Sequence, residues 1–167
     1  MSERGKHVLN LSKRIIASLN PYCKKIQIAG SIRRGEKNPG DIDVVLIPKD
    51  RLKSSHFPEK TPKERLEKFL MKKGKKLQGG DRESTWRIEG VRVELYYTNS
   101  EEWGAALLAY SSRKGSGIGL RIVARMKGFK LTQHGLFNRK TGRRIAGRTE
   151  EEIYHTLGRE WKKPEER

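Results

Sequence analysis

Gly30-Ser31-Ile32-Arg33-Arg34-Gly35, followed after the turn Asn38-Pro39 by Gly40-Asp41-Ile42-Asp43-Val44, is the stretch on which the fold of this chain turns. The residues before it, Lys25-Ile26-Gln27-Ile28-Ala29, alternate polar and apolar as a strand does, and Asp41 through Ile47 reads as a second strand closed by Pro48. Side chains alternate across a strand, so Asp41 and Asp43 project to one face while Ile42 and Val44 enter the core. Two carboxylates held side by side repel unless a cation lies between them, and an all-oxygen donor set favours Mg²⁺ or Mn²⁺. Two aspartates on the surface of an edge strand would read the same way. Gly30-Ser31 lies just upstream, where a strand passes into a helix-like segment carrying Arg33 and Arg34. Backbone N–H groups at such a start, a hydroxyl and two guanidinium forks make a cradle for a triphosphate, though an ordinary turn has the same composition.

Working outward, residues 7–19 carry Val8, Leu11, Ile15, Ile16 and Leu19 at helical spacing, and Asn20-Pro21 ends that helix. Thr61-Pro62-Lys63-Glu64 is a capping box opening a helix that Gly74 stops. Trp86–Ile88 and Val91–Tyr97 flank Glu89-Gly90 as a hairpin. Within it Glu94 alternates against Val91, Val93 and Leu95, so it faces away from the core. If this strand lies beside Asp41–Ile47, Glu94 becomes a third carboxylate, and three carboxylates can hold the two cations of an in-line phosphoryl transfer. Asn99 or Ser100 caps a helix through Ala105–Leu108. The sequence then predicts a glycine-rich loop at Lys114-Gly115-Ser116-Gly117, a helix over 118–127, a hairpin around His134-Gly135, and a second capping box at Thr149-Glu150-Glu151-Glu152. The order mixes α and β, with a boundary near 108–116.

Composition narrows the function. The chain of 167 residues carries 38 Lys and Arg against 20 Asp and Glu, a formal charge of +18. Leu, Ile, Val and Phe make up about 22% of it, enough for a small core. No apolar run approaches the ~18 residues of a membrane span, no signal-peptide stretch follows Met1, and the single cysteine, Cys23, excludes an internal disulfide. The expectation is an intracellular protein, cytoplasmic if prokaryotic. From Trp103 through Thr149 there is no acid, against eleven Lys and Arg, which points to a polyanionic partner such as nucleic acid.

The signature blocks resemble those of the family X DNA polymerases, the polymerase beta family. The resemblance continues in Arg92-Val93-Glu94, where the family usually has Arg-x-Asp. It extends through Arg121 to Phe129, His134-Gly135-Leu136-Phe137, Glu150-Glu151-Glu152-Ile153-Tyr154, Leu157-Gly158 and Pro164. It implies an α+β fold: a polymerase beta-like nucleotidyltransferase palm, a mixed sheet with helices, over residues 1–108, and a small C-terminal α/β lobe over 109–167 that binds nucleotide and DNA. The chain looks like the minimal two-lobe members, such as small viral ones, without an N-terminal lyase domain.

Carried over residue by residue, the resemblance makes Asp41, Asp43 and Glu94 the catalytic carboxylates that hold two Mg²⁺ or Mn²⁺ ions. Gly30, Ser31, Arg34, Gly40, Ala109 and Tyr110 would bind the dNTP, and Arg121, Arg125, Lys127, Lys130 and His134 the DNA; His134 serves equally as a structural turn residue. The implied reaction is nucleotide transfer to a primer 3′-hydroxyl in DNA repair gap filling. The implied partners are primed or gapped duplex DNA and a nucleoside triphosphate, with no membrane, the chain acting as a monomer. Where the family carries a bulky aromatic against the sugar 2′-hydroxyl, this chain has Ala109, so weakened discrimination against ribonucleotides is expected. Pro39 replaces a common serine, and Ser111-Ser112-Arg113 replaces Thr-Gly-Ser. Template-independent or RNA-directed terminal nucleotidyl transfer, and a catalytically inert nucleic-acid-binding module, are the competing readings.

Overall fold

The computed structural model describes residues 1–49 and 61–167. Its chain divides into two compact units, Met1–Ile28 with Lys37–Tyr97, and Ala29–Glu36 with Thr98–Arg167. The second unit's main segment therefore begins after Tyr97 rather than after residue 108, and Ala29–Glu36 joins it from the N-terminal part of the chain. The reason is the helix over Trp103–Ser111, whose Ala105 and Leu108 are buried in one cluster with Leu136, Ile153 and Leu157 of the second unit.

In the first unit, α1 (Glu3–Leu19) begins earlier than the apolar spacing predicts, because Ser2 caps it by accepting from Gly5 N–H. β1 (Cys23–Ile28), β2 (Asp41–Pro48), β3 (Lys75–Gly79), β4 (Glu83–Ile88) and β5 (Val91–Tyr97) form a five-stranded sheet in the order β1-β2-β5-β4-β3. β2 and β5 run parallel and the other neighbours antiparallel, so the sheet is mixed. α3 (Pro62–Met71) has the expected capping box, with Thr61 accepting from Glu64 N–H and Glu64 accepting from Thr61 N–H. Ile42, Val44, Leu46, Trp86, Val93 and Leu95 are buried, as are Val8, Leu11 and Leu19 of α1 and Leu66 and Leu70 of α3. Burying such side chains contributes roughly 1.5–3 kcal/mol each. Tyr97 shares the face of Val93 and Leu95, and its hydroxyl donates to Glu67 of α3 at 3.0 Å. α3 therefore covers that face, and Asp43, Glu94 and Tyr96 occupy the opposite one.

In the second unit, α2 (Gly30–Arg33) is a single turn. α4 (Trp103–Ser111), α5 (Lys114–Met126) and α6 (Glu150–Thr156) accompany a three-stranded sheet of β6 (Phe129–Thr132), β7 (Gly135–Asn138) and β8 (Arg144–Ala146). Ala105, Leu108, Ala124, Leu136, Ala146, Ile153, Tyr154 and Leu157 make its core, with Leu120, Val123, Phe129 and Leu131 packed against it. Lys114 to Gly117 belong to α5 and not to a loop. Glycine costs about 1 kcal/mol per helical position, and the apolar face supplied by Leu120, Val123 and Ala124 outweighs that. The second capping box is half present. Thr149 accepts from Glu152 N–H, but the Glu152 carboxylate accepts from Gly147 and Arg148 N–H instead of from Thr149. Gly104 is required where it stands, since a Cβ there would lie 2.2 Å from the Thr149 carbonyl carbon. Among the described residues, no helix is long and apolar enough to cross a membrane.

Candidate active site

The parallel pairing of β2 with β5 sets Asp43 opposite Glu94 and Asp41 opposite Arg92. Asp41 and Asp43 are two residues apart on β2, so both aspartates and Glu94 share one face of the first unit's sheet. Asp41 is exposed, while Asp43 and Glu94 are half-buried. Glu94 is engaged at both oxygens. Arg92, two residues earlier on the same strand, donates through Nε to Oε1 at 2.7 Å, and Tyr96, two residues later, donates its hydroxyl to Oε2 at 2.5 Å. The same hydroxyl lies 3.4 Å from Asp43 Oδ1. Sequence reading missed Tyr96 and Arg92 as companions of the site, although period-two alternation from Glu94 places both on its face.

Three carboxylates on adjacent strands are an all-oxygen donor set, which suits a hard divalent cation such as Mg²⁺ or Mn²⁺ and not zinc. Among the described residues no three His, Cys, Asp or Glu side chains form a ready-made metal cluster. For Glu94 the occupant of Oε1 is the exposed Arg92, a surface ion pair of the kind that contributes about 0–1 kcal/mol and yields readily to a stronger charge.

In the second unit, Gly30 and Gly35 stand at φ 58° and 71°, left-handed values that open and close the segment holding Ser31, Arg33 and Arg34. Ser31 Oγ is buried with no hydrogen-bond partner among the described residues. Leaving a buried hydroxyl unpaired costs about 1–3 kcal/mol, so its retention marks a position where a ligand can complete it. Arg34 donates from Nε and Nη2 to Glu36 Oε1 at 3.1 and 2.7 Å, and from Nη1 to the Ser111 carbonyl at 3.2 Å. Arg33 is not a second phosphate fork. Its guanidinium is committed to Glu150 at 2.7 and 2.9 Å and to Ser111 Oγ at 2.9 Å. In the first unit, Gly40 is exposed, and a Cβ there would meet nothing within 4 Å, so the space against its backbone is open.

The other expected residues fall in the second unit. Ala109 lines a pocket of about 230 Å³ together with Ala105, Leu108, Ser112, Arg121 and Leu131, which brings Ala109 and Arg121 into one site. Tyr110 is half-buried. Arg121, Arg125, Lys127 and Lys130 are exposed on α5 and the residues just after it. His134 holds Glu102 Oε2 through Nδ1 at 3.0 Å, and Arg144 takes the other Glu102 oxygen at 3.2 Å. Burial pushes the Cys23 thiol up to about 11, so it is no nucleophile at neutral pH.

Residues 2–85 match the family model described as DNA polymerase beta palm, and residues 95–167 match DNA polymerase beta thumb. The chain is 26% identical over 174 residues to the "Repair DNA polymerase X" of African swine fever virus isolate Tick/South Africa/Pretoriuskop Pr4/1996, an alignment covering 98% of this chain and 97% of the viral protein. The protein of the same name from isolate Pig/Kenya/KEN-50/1950 is 25% identical over 181 residues with the same coverage. The "DNA polymerase IV" of Saccharomyces cerevisiae is 34% identical over 76 residues, which are 46% of this chain and 13% of the yeast protein. With the palm model lying across Asp41 and Asp43, and the thumb model beginning at Leu95 and running through the basic α5, the chain belongs to the DNA polymerase beta family, the family X DNA polymerases.

Proposed function

We propose that this DNA polymerase fills short gaps in duplex DNA during repair, and that Asp41, Asp43 and Glu94 hold two divalent cations, Mg²⁺ or Mn²⁺, for the transfer. Family X polymerases work with divalent cations on dNTPs. The observation that carries the assignment to these three residues is the in-register pairing of Asp43 with Glu94 on the face that Asp41 shares. When bound, the cations lower the pKa of the primer hydroxyl and neutralise charge on the departing pyrophosphate. The primer 3′-oxygen forms a bond to the α-phosphorus as the bond to pyrophosphate breaks. Ser31, Arg34 and the backbone at Gly30 take the triphosphate. The unpaired buried hydroxyl of Ser31 supports this, and Arg34 exchanges Glu36 for phosphate oxygens. Ala109 and Tyr110 bound the nucleotide sugar.

The acid-free basic stretch supports phosphate contacts from Arg121, Arg125, Lys127 and Lys130, with His134 at the turn beside them. The repair assignment is supported by viral relatives named as repair polymerases that this chain matches over nearly their whole length. The protein acts inside the cell as a monomer. Primer extension on single-stranded, primed and one-nucleotide-gapped substrates, with each metal, tests the reading. Gapped duplex should be extended best, and preferential extension of blunt or single-stranded primers would transfer the assignment to terminal nucleotidyl transfer.

A further inference from the structure

Tyr96 lies two residues beyond Glu94 on β5 and pairs in register with Val45, so it sits diagonally from Asp43 on the carboxylate face. Its ring is half-buried and its hydroxyl is within hydrogen-bond distance of both acids, 2.5 Å from Glu94 Oε2 and 3.4 Å from Asp43 Oδ1. A phenol has one proton to donate. At these distances the proton goes to Glu94, and Asp43 is the second acceptor that it can reach. Two carboxylates facing one another on neighbouring strands repel, and a donor held between them offsets part of that repulsion.

The glutamate side chain has one more rotatable bond than aspartate, and that freedom must be lost before it can serve as a ligand of fixed position. Arg92 does not remove it durably, because Arg92 is exposed and its ion pair with Oε1 is a surface contact that yields to a stronger charge. Tyr96 grips Oε2 and leaves Oε1 for exchange.

We propose that Tyr96 is a positioning residue for the cation site: its hydroxyl anchors Oε2 of Glu94 beside Asp43, so that Oε1 meets an incoming divalent cation without a search through rotamers. The proposal rests on the reading that Asp41, Asp43 and Glu94 hold cations, and concerns a residue that touches those ligands and not the reacting atoms. Outer partners of this kind typically change metal affinity about 10–100-fold when removed.

The test is Mn²⁺ binding to the full chain without DNA or nucleotide, followed by electron paramagnetic resonance of free Mn²⁺. It compares wild type, Y96F, D43N, E94D and E94D/Y96F, with thermal melts of each. Y96F should bind Mn²⁺ roughly tenfold more weakly. In gap filling its kcat should fall while KM for dNTP stays nearly unchanged, and its melting temperature should move little. In the E94D background the shorter carboxylate no longer reaches the phenol, so adding Y96F should change Mn²⁺ affinity hardly at all. Wild-type affinity in Y96F, with loss in D43N, would overturn the role of Tyr96 and leave the cation site standing. Unchanged affinity in D43N would remove the cation site and this proposal with it. An equal loss from Y96F in both backgrounds, accompanied by a lower melting temperature, would make Tyr96 a packing residue and overturn the proposal as well.

Discussion

Arg33 donates two parallel hydrogen bonds to the carboxylate of Glu150, at 2.7 and 2.9 Å, across 117 positions of sequence. Arg167 takes the same carboxylate at 2.7 and 3.1 Å, and Trp161 Nε1 donates to it at 3.2 Å. Glu150 is 4% exposed. Burial alone would raise its pKa, but the hydrogen bonds and charges of Arg33 and Arg167 outweigh burial and hold it at about 2.

A carboxyl held below its ordinary value of 4.5 adds stability that is complete above that pH and is lost as pH falls from about 4.5 through about 2. Glu150→Gln should therefore remove that acid-sensitive component. At neutral pH it leaves two guanidinium groups without a counter-charge, which should cost about 3–5 kcal/mol. Urea melts at pH 7 and pH 3 check both; a variant as stable as wild type at pH 7 would contradict the assignment.

Replacing Asp43 by Asn keeps the shape of β2 and removes a charge from the carboxylate face. Nucleotide transfer should fall by several kcal/mol of transition-state stabilisation, about 10³-fold or more, while DNA affinity barely changes. Single-turnover extension and fluorescence anisotropy on the same gapped duplex separate the two effects.

The carboxylate face was legible because it obeys local rules. Asp41, Asp43 and Glu94 each alternate against apolar neighbours, and alternation needs no tertiary information. What remained open was whether β2 and β5 are neighbours, because parallel pairing is a long-range event with no local sequence mark. The same limit hid the Glu150 network. A glutamate in the first turn of α6 reads as a solvent-facing residue that suits the helix dipole, and nothing near it in sequence announces Arg33. β3 and β8 escaped for another reason: β3 is mostly exposed and polar, and β8 has three residues, so neither carries the alternation a strand needs to be recognised. In α5 the glycines suggested a loop, and only the packing of Leu120, Val123 and Ala124 into the second unit's core shows why they are helical.

DNA binding should weaken steeply with salt, with a log–log slope of about −0.9 for each phosphate neutralised. Arg121→Ala and Arg125→Ala should each flatten that slope by roughly one unit and weaken binding to all sequences alike. Anisotropy titrations across a salt series decide this, and an unchanged slope in both variants would take α5 off the DNA.

Ala109 lies on the wall of the 230 Å³ pocket that Arg121 also lines. Ala109→Tyr should fill part of that space and raise discrimination against ribonucleotides. Paired dNTP and rNTP incorporation measures it; discrimination in wild type equal to or stronger than in the variant would show that residue 109 does not read the sugar.

The grip of Arg33 on Glu150 also constrains how this polymerase can be taken apart. Ala29–Glu36 belongs with Thr98–Arg167, so the polypeptide crosses from one compact unit to the other at Ile28, at Glu36 and again at Tyr97. A fragment cut cleanly at Thr98 would leave behind the octapeptide that supplies half of the positive charge around Glu150, and should recover its full folding stability only when that peptide is added back in trans.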